Sequence, residues 1–291
     1  MRVLVTGASG QVGSEVVSAV HRLGHDVIAP ERSGLDLMQP AQVEQRVTLL
    51  VPDWIINCAA YTQVDRAEDE VEQAMTVNRD SAAALARAAA ACSARLLHIS
   101  TDFVFSGEQS RPYREEDAPG PLGVYGRSKL EGERAVREAL PDAVILRTAW
   151  VYGVHGHNFV RTMLRLAAEG RPLRVVADQT GSPTWARDIA GSITALMQAG
   201  ASGLYHYTSA GSVSWCGFAS AILSEAMKAG FELRTQTVEP ITTAEYPTPA
   251  SRPVYSVLDT GKIEDELGLS IPGWRDSLVA MLGELYTCET S

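Results

Sequence analysis

Short apolar segments alternate with amphipathic segments along the first half of the chain. Residues Arg2–Thr6 form an apolar, β-branched run that ends at a glycine, which is typical of a buried strand. Four valines at helical spacing then predict a helix over Gln11–Leu23. The alternation continues with predicted strands at His25–Ala29, Trp54–Asn57, Arg95–Ser100 and Ala143–Thr148, and predicted helices at Pro40–Leu50, Ser81–Cys92 and Leu122–Leu140.

Alternating strands and helices of this kind predict a parallel sheet that is covered by helices on both faces. The predicted fold class is therefore α/β, a Rossmann-type doubly wound parallel sheet with a smaller C-terminal substrate-binding domain. Regularity weakens after Trp150. We expect residues 1–150 to form a nucleotide-binding domain, parts of residues 184–212 to return to it, and residues 151–291 to form mainly the substrate-binding domain.

Charge and cysteine content restrict the classes of partner. The net charge of −10 disfavours nucleic acid as a partner, because phosphate contacts need a basic surface. No apolar run approaches the roughly 20 residues of a membrane span. The cysteines are widely spaced and suit a reducing compartment, so we expect a cytoplasmic protein with no membrane partner. They are Cys58, Cys92, Cys216 and Cys288.

A glycine-rich turn follows the first predicted strand and opens the first predicted helix. Gly7, Gly10 and Gly13 let the backbone approach a pyrophosphate closely. The free N–H groups at the start of the helix then favour the phosphates of a dinucleotide. The alternative is a turn that serves packing only. This context predicts an NAD(P)-binding domain.

The end of the second predicted strand carries both kinds of residue that distinguish the two nicotinamide cofactors. An acid such as Glu31 or Asp36 can bind the ribose hydroxyls of NADH, whereas Arg32 can hold the extra phosphate of NADPH. The alternative for Arg32 is a solvated loop charge. The sequence leaves NADPH or NADH open.

Tyr125 and Lys129 are four residues apart at the start of a predicted helix, so their side chains share one helix face. We expect the Lys129 ammonium to lower the phenol pKa of Tyr125 and to hold the nicotinamide ribose. A tyrosine tuned in this way can give a proton to a carbonyl oxygen while a hydride reaches the carbon. Taken alone, the spacing is more typical of a surface pair.

Ser100-Thr101-Asp102 stands at the carboxyl end of a predicted strand, which is where open α/β sheets bind ligands. The Thr101 hydroxyl can hydrogen-bond a substrate carbonyl. The alternative for Thr101 is a helix or turn cap. Together with the glycine turn and the Tyr125–Lys129 pair, this segment predicts a reductase site.

These motifs, in this order and spacing, resemble the dTDP-4-dehydrorhamnose reductases, a family of extended short-chain dehydrogenases. The resemblance covers nearly the whole chain. Its segments are Met1–Gly13 with Gly10–Gly13 inside it, Asn57–Asp65, Ser100–Phe105, Val124–Lys129, Arg147–Tyr152, Asn158-Phe159, Asp178–Thr184 and Tyr246–Pro253.

The resemblance implies roles for particular residues of this chain. Catalytic roles fall to Thr101, Tyr125 and Lys129. Cofactor contacts are implied at Gly10, Gln11, Val12, Asp36, Leu37, Ala59, Ala60 and Tyr61, and we expect further contacts at Gly7, Arg32, Tyr125 and Lys129 from the motifs above. Substrate contacts are implied at Thr101, Asp102 and Trp150, and Asn158 and Arg252 are candidates for the nucleotide diphosphate. The alternatives are a structural salt bridge for Arg252 and core filling for Trp150.

Phe103 separates this chain from the related sugar-nucleotide dehydratases, which resemble it but place a glutamate at this position. Phenylalanine can neither donate nor accept a proton, so elimination of water is disfavoured. The expected reaction is NAD(P)H-dependent reduction of the C4 keto group of dTDP-4-dehydrorhamnose. The alternatives are reduction of another dTDP-4-keto-deoxysugar, or a non-catalytic role like that of the regulatory subunit of methionine adenosyltransferase.

Some members of the family resemble magnesium-linked homodimers that use acidic residues of both subunits. Glu15 matches one such position, but Arg187 stands where a second acid would align, and an arginine would repel the cation. We therefore expect no metal site and consider magnesium doubtful, with the protein a monomer or homodimer. Glu15 is then expected to be a helix-surface glutamate.

Overall fold

The computed structural model describes residues 1–290, and the side chains of residues 1–288. Its strands are β1 (Arg2–Thr6), β2 (Asp26–Ile28), β3 (Trp54–Asn57), β4 (Arg95–Thr101), β5 (Val144–Thr148), β6 (Val151–Tyr152), β7 (Leu173–Val176), β8 (Thr180–Gly181), β9 (Thr184–Trp185), β10 (Gly203–His206), β11 (Val213–Ser214) and β12 (Val238–Ile241). Its α-helices are α1 (Gln11–Arg22), α2 (Pro40–Leu50), α3 (Val71–Met75), α4 (Ser81–Cys92), α5 (Val124–Ala139), α6 (Phe159–Ala168), α7 (Ala186–Ala199), α8 (Trp215–Lys228), α9 (Gly261–Leu267) and α10 (Trp274–Thr290).

Six strands form one parallel sheet in the order β2-β1-β3-β4-β5-β10. The order reverses between β1 and β3, which places a crevice outside the carboxyl ends of these two strands. The predicted doubly wound parallel sheet is confirmed. The predicted bounds of β1, α2, β3 and α4 agree with the structure, and those of the other predicted elements differ by one or two residues at an end.

The two faces of the sheet bury alternate residues of each strand, because successive side chains of a strand point to opposite sides. Val3 and Val5 pack with α1 and α7 on one face. Leu4 and Ile55 pack with α2 and α4 on the other. All four side chains are fully buried. The near-continuous apolar strands of the sequence therefore arise from burial on both faces.

The second half of the chain contributes to two regions of the fold. α7 packs on α1, and β10 pairs with β5 at the edge of the main sheet. The remaining elements surround an apolar core in which Phe218 is fully buried between α6, α8 and α10. The division into domains 1–150 and 151–291 stays a prediction, and Ser291 lies outside the described residues. Among the described residues, no helix combines the length and apolar character that crossing a membrane requires.

Two glycines bring α5 into direct contact with neighbouring backbone. A Cβ on Gly126 would lie 2.1 Å from the carbonyl oxygen of Phe103, and a Cβ on Gly132 would lie 2.1 Å from that of Asn78. Asn78 belongs to a π-helical turn, Thr76–Asp80, that leads into α4. Only glycine permits this approach, so Gly126 fixes how closely α5 lies to the turn after β4, and Gly132 fixes how closely it lies to the π-helical turn.

We predict that Gly132→Ala destabilises the protein by about 1–3 kcal/mol, because the added methyl group forces α5 away from the backbone at Asn78. Chemical denaturation measures this change. Gly191→Ala is the matched control: it lies inside α7 with nothing within 4 Å of the added Cβ, and we expect it to stabilise the protein by roughly 0.5–1 kcal/mol. Equal effects of the two substitutions would contradict the role of close packing.

Candidate active site

A cleft of about 760 Å³ opens at the carboxyl ends of β1, β3, β4 and β5. We call it the central cleft. On one side it adjoins a cavity of about 940 Å³ near the end of β2, the β2-side cavity, with which it shares Gly7 and Ala59. On the other side it adjoins a cavity of about 420 Å³, the outer cavity, with which it shares Trp150 and Arg252. The three spaces adjoin one another at these shared residues, and we call them together the groove.

The glycine turn forms the floor between the β2-side cavity and the central cleft. Gly7 has a φ of +67°, and a Cβ there would lie 2.8 Å from the backbone of Ala59. A Cβ on Gly13 would lie 2.1 Å from the carbonyl oxygen of Gly7. Gly10 begins α1 and provides no side-chain cap for the first-turn N–H groups. Gln11 and Val12 line the cleft beside it, so the turn fits the diphosphate of a dinucleotide.

The β2-side cavity is lined by the residues expected at the adenosine end of the cofactor. Arg32 lies 3.5 Å from Asp36, and its side chain is 82% exposed. Asp36 also accepts a hydrogen bond from the backbone N–H of Met38, and Leu37 is buried. The guanidinium of Arg32 is therefore exposed enough to reorient towards a phosphate without breaking a buried contact.

Ala59, Ala60 and Tyr61 follow directly after β3 and line the β2-side cavity. The two alanines also line the central cleft. The backbone N–H of Tyr61 donates to Asn78 Oδ1, and its hydroxyl donates to Glu70 Oε2 at 2.7 Å. Burial and this carboxylate raise the pKa of Tyr61. These hydrogen bonds hold the wall of the groove in place.

Thr101 ends β4 and faces the central cleft, where it is almost fully buried. Its hydroxyl caps a short turn by accepting the N–H of Phe103, and it donates to Asp102 Oδ1 at 3.1 Å. The Thr101 hydroxyl also lies close enough to the phenol of Tyr125 to lower its pKa. Thr101 therefore both caps the turn and lies in the cleft.

The phenol of Tyr125 lies within this group, and its ring packs edge-on against Phe103 with centroids 5.6 Å apart. Burial raises the pKa of Tyr125 to about 12, while the nearby hydroxyl of Thr101 lowers it by less. This direction is opposite to the expectation that Lys129 lowers the pKa of Tyr125. The reason is that burial of the phenol dominates and that the ammonium is directed towards β4.

Lys129 is buried in α5, and its Nζ donates to the carbonyl oxygen of Ile99 at 2.6 Å. Burial lowers the pKa of Lys129 to about 8, whereas the nearby Glu133 and Cys58 act in the opposite direction. Tyr125 and Lys129 both line the central cleft together with the glycine turn. The structure thus brings the two predicted catalytic side chains to the predicted place.

Asp102 presents a buried carboxyl group to the same cleft. Burial raises the pKa of Asp102 to about 6, although hydrogen bonds with Ser256 and Thr101 lower it in part. Its Oδ2 atom is buried and has no hydrogen-bond partner among the described residues. A buried polar atom without a partner at a cleft indicates a place for a ligand hydroxyl.

Trp150 separates the central cleft from the outer cavity. Its φ of +48° lies in the left-handed region that residues other than glycine rarely adopt. The indole stacks on Trp215 with centroids 3.5 Å apart and planes 6° apart. A Cβ on Gly181 would overlap the Trp150 ring. Because the ring lines both spaces, core filling alone does not describe its position.

Arg252 reaches across the groove to the other half of the chain. Its guanidinium donates to Asp65 Oδ2 at 2.7 Å and to the carbonyl oxygen of Ala250 at 3.1 Å, and it also contacts Thr248. The salt bridge given as the alternative for Arg252 is therefore present. The side chain nevertheless lines both the central cleft and the outer cavity, so its contact with a diphosphate stays a prediction.

Asn158 caps α6, the first helix after β6. Its Oδ1 accepts the N–H of Arg161, and its Nδ2 donates to the carbonyl oxygen of Gly153 at 2.8 Å. Both ends of the amide thus have backbone partners, although the residue lines the central cleft. Its predicted contact with the diphosphate stays a prediction.

Glu15 differs from the expectation of a surface glutamate, since it is only 5% exposed. The cause is α7, which packs on α1 and places Arg187 Nε 3.2 Å from Glu15 Oε2. Arg187 also donates to Glu284. Within the described part of the chain, no group of three or more acidic, histidine or cysteine side chains could hold a metal ion.

Thr148, Phe159 and Trp215 are among the cleft residues to which the sequence analysis gave no role. Thr148 ends β5 in register with Thr101, and its buried Oγ1 has no hydrogen-bond partner among residues that the structure describes. The position of Thr148 at a strand end was a usable signal. Phe159 and Trp215 form an aromatic wall with centroids 4.7 Å apart. Both follow irregular segments, where periodicity gives no indication of location.

Comparison with known proteins relates the chain to one family over nearly its full length. The family model described as the RmlD substrate binding domain matches residues 1–287. The chain is 44% identical to a dTDP-4-dehydrorhamnose reductase of Burkholderia thailandensis, over 94% of this chain and 96% of that protein. It is 41% identical to the dTDP-4-dehydrorhamnose reductase of Escherichia coli K12, over 99% of each. A crystal structure of the dTDP-4-dehydrorhamnose reductase of Bacillus anthracis in complex with NADP superposes with a TM-score of 0.91 at 38% identity, covering 97% of this chain and 99% of that one.

We predict that Asp102→Asn stabilises the protein, and that the gain grows with pH. A carboxyl with a pKa of about 6 when folded and about 3.9 when unfolded binds more protons in the folded state between these values, so its stability contribution is lost as pH rises through that window. The full difference corresponds to about 3 kcal/mol. Urea unfolding of both proteins at pH 4.5 and 7.5 should show a gain that is about 2 kcal/mol larger at the higher pH. A gain that is the same at both pH values would contradict the prediction.

Proposed function

The chain belongs to the family described as the RmlD substrate binding domain, and from this premise we propose that it reduces the C4 keto group of dTDP-4-dehydrorhamnose to give dTDP-L-rhamnose, with NADPH as the reductant. Relatives named dTDP-4-dehydrorhamnose reductase match over almost the whole chain. The NADP complex of one such relative has the same fold. The proposed activity is therefore that of a nucleotide-sugar reductase.

One observation carries the proposal. Thr101, Tyr125 and Lys129 lie together in the central cleft, between the glycine turn on one side and Trp150 on the other. A proton donor at this junction would lie next to both the bound cofactor and the substrate carbonyl, as a reduction requires. The groove gives the nucleotide sugar a path from the outer cavity to the same point.

The residues of the glycine turn fit a dinucleotide. The first-turn N–H groups of α1 would hold its diphosphate beside Gly7 and Gly10, and Asp36 and Arg32 would meet its adenosine end. Lys129 would hold the ribose of the nicotinamide. When bound, NADPH supplies the hydride for the keto carbon. We propose NADPH because an exposed guanidinium at Arg32 suits the extra phosphate.

The protein supplies the proton and the orientation of the carbonyl. Tyr125 donates its phenol proton to the developing alkoxide, and Thr101, which lines the same cleft, orients the carbonyl oxygen. Burial keeps the phenol protonated near neutral pH, since its pKa is raised to about 12. Tyr125 is therefore in the form of the acid when reduction begins.

The outer side of the groove suits the nucleotide part of the substrate. The stacked pair Trp150 and Trp215 offers flat apolar surface to a base or a sugar ring. Arg252 places a guanidinium at the boundary of the central cleft and the outer cavity. Its planar fork can form bidentate bonds to a diphosphate in competition with Asp65.

We predict that Tyr125→Phe lowers the kcat of NADPH-dependent reduction of dTDP-4-dehydrorhamnose by about 10²–10⁴-fold, because the proton donor is lost. NADPH oxidation followed by absorbance measures it, and the Kd of NADPH should stay within about twofold, since the substitution removes only the phenol oxygen and leaves the ring in place. Tyr205→Phe is the matched control: it removes a hydroxyl that is bonded to Glu266 outside the cleft, and we expect kcat to stay unchanged. Normal turnover by Tyr125→Phe would remove the proposed mechanism.

The stereochemical part of the proposal is tested by supplying other dTDP-linked 4-keto-deoxysugars to the wild-type protein. The highest kcat/KM for dTDP-4-dehydrorhamnose supports the named substrate. A higher kcat/KM for another sugar of the panel would identify that sugar as the substrate, and the protein would still be a reductase.

A further inference from the structure

A buried charged pair joins the elements that carry the catalytic residues. Glu133 on α5 accepts two hydrogen bonds from Arg147 on β5, at 2.8 and 2.7 Å. The two side chains are 6% and 3% exposed. Ser100 on β4 donates to the same carboxylate at 2.5 Å. The guanidinium also lies over the ring of Phe105, with 5.0 Å between its carbon and the ring centroid.

Stability alone is a weak reason for such a pair. The desolvation cost of two buried charges offsets much of their attraction, and apolar replacements of similar volume often serve as well. Most other ion pairs of the described residues have at least one clearly exposed side chain. The position of the Glu133–Arg147 pair is therefore more informative than its energy.

Each partner of Glu133 lies next to a residue of the site. Ser100 directly precedes Thr101 at the end of β4, and Arg147 directly precedes Thr148 at the end of β5. Glu133 itself stands one helical turn after Lys129, so both side chains leave α5 on the same face. One carboxylate thus joins the three elements that carry Thr101, Thr148 and the catalytic lysine.

We propose that Glu133 is a positioning residue for the reaction: its buried carboxylate ties α5 to the carboxyl ends of β4 and β5 through Ser100 and Arg147 and, one helical turn from Lys129, keeps that side chain in the ammonium form. This inference rests on the proposed function, because Lys129 matters to the reaction only if the central cleft is the reductase site. In this proposal the protonation state of Lys129 depends on Glu133, a residue that itself contacts neither the substrate nor the cofactor.

Among the groups that act on the pKa of Lys129, Glu133 is the carboxylate, and Asp102 in the same cleft is not one of them. On β4, the carbonyl of Ile99 accepts from Nζ, and burial keeps the pKa of His98 well below its usual value, so that ring is neutral. After β3, burial raises the pKa of the Cys58 thiol to about 12. On α5 itself, the phenol of Tyr125 is protonated. Arg147 on β5 is paired by Glu133.

The balance of these groups gives the direction of the effect. Burial lowers the pKa of Lys129 to about 8, and Glu133 is the largest influence that raises it. Removing the negative charge therefore lowers the pKa of Lys129 further. A lysine that must be protonated then loses its charge at a lower pH, and the activity that depends on it falls at a lower pH.

The chain allows a direct measurement, because Lys129, Lys228 and Lys262 are its three lysines. We expect an NMR titration of ¹³C-labelled lysine side chains, on the full chain without added cofactor, to show that Glu133→Gln lowers the pKa of Lys129 by about one pH unit or more. Lys129→Arg identifies the signal by its disappearance, and Lys262 is the internal reference. A pKa of Lys129 that is unchanged in Glu133→Gln would overturn the inference.

Glu225→Gln is the matched control. Glu225 is also a buried glutamate that bonds an arginine, Arg275, at 3.0 and 2.7 Å, and it lies on α8 outside the central cleft. Its loss should destabilise the protein without moving the Lys129 signal. A shift of the Lys129 signal in both variants would show a general effect of lost ion pairs and would contradict the specific role of Glu133.

Kinetics separate a failure of the inference from a failure of the proposed function. In the profile of kcat/KM against pH, the alkaline limb of Glu133→Gln should lie about one pH unit below that of the wild type. If the wild type is active but the alkaline limbs of the two proteins coincide, the inference is contradicted and the proposed function is not. Absence of keto-sugar reduction by the wild type contradicts the proposed function, while the NMR titration still tests the effect on Lys129.

Glu133→Gln leaves the Arg147 guanidinium buried without a charged partner, which is strongly destabilising. If that variant does not fold, the double variant Glu133→Gln/Arg147→Gln removes both charges and keeps hydrogen-bonding groups in place. The pKa of Lys129 should again fall in the double variant, because Glu133 is the largest influence that raises it. An unchanged pKa there would overturn the inference in the same way.

Discussion

The close approach of α5 to the end of β4 is the constraint on which the rest of the site depends. Gly126 and Gly132 remove the two side chains that would keep the helix away from the backbone at Phe103 and Asn78. Because of this approach, Tyr125 reaches the hydroxyl of Thr101, and the ammonium of Lys129 reaches the carbonyl of Ile99. The glycines of the helix therefore place the proton donor, and those of the phosphate turn place the cofactor site opposite it.

Burial at this junction has different consequences for each ionisable group. It favours the neutral forms of Tyr125 and Asp102 and raises the pKa of both, whereas it lowers the pKa of Lys129. An acid that stays protonated near neutral pH suits the reduction of a carbonyl, which consumes a proton. The same burial makes the ammonium of Lys129 costly, so that a nearby carboxylate such as Glu133 has a purpose beyond packing.

The sequence was most informative where one local pattern determines a structure. The strand, glycine turn and helix at the N-terminus, the shared helix face of Tyr125 and Lys129, and the strand-end position of Thr101 were all predictable from spacing. Long-range packing was not: Glu15 appeared to be a surface residue because periodicity along α1 contains no information about α7. The raised pKa of Tyr125 was missed for the same reason, since burial is a property of the assembled fold. Trp215 and Phe159 follow segments with no period, so nothing local indicated their place beside Trp150.

The central claim is that a hydride and a proton meet at one carbonyl in the central cleft. Reduction of dTDP-4-dehydrorhamnose with NADPH that is deuterated at the transferring position, followed by mass spectrometry and NMR of the product, tests it most directly. The account predicts one deuterium on the carbon that carried the keto group and none on the other sugar carbons. A product that carries no deuterium with either C4 isotopomer of the cofactor, or carries it at another carbon, would contradict the account.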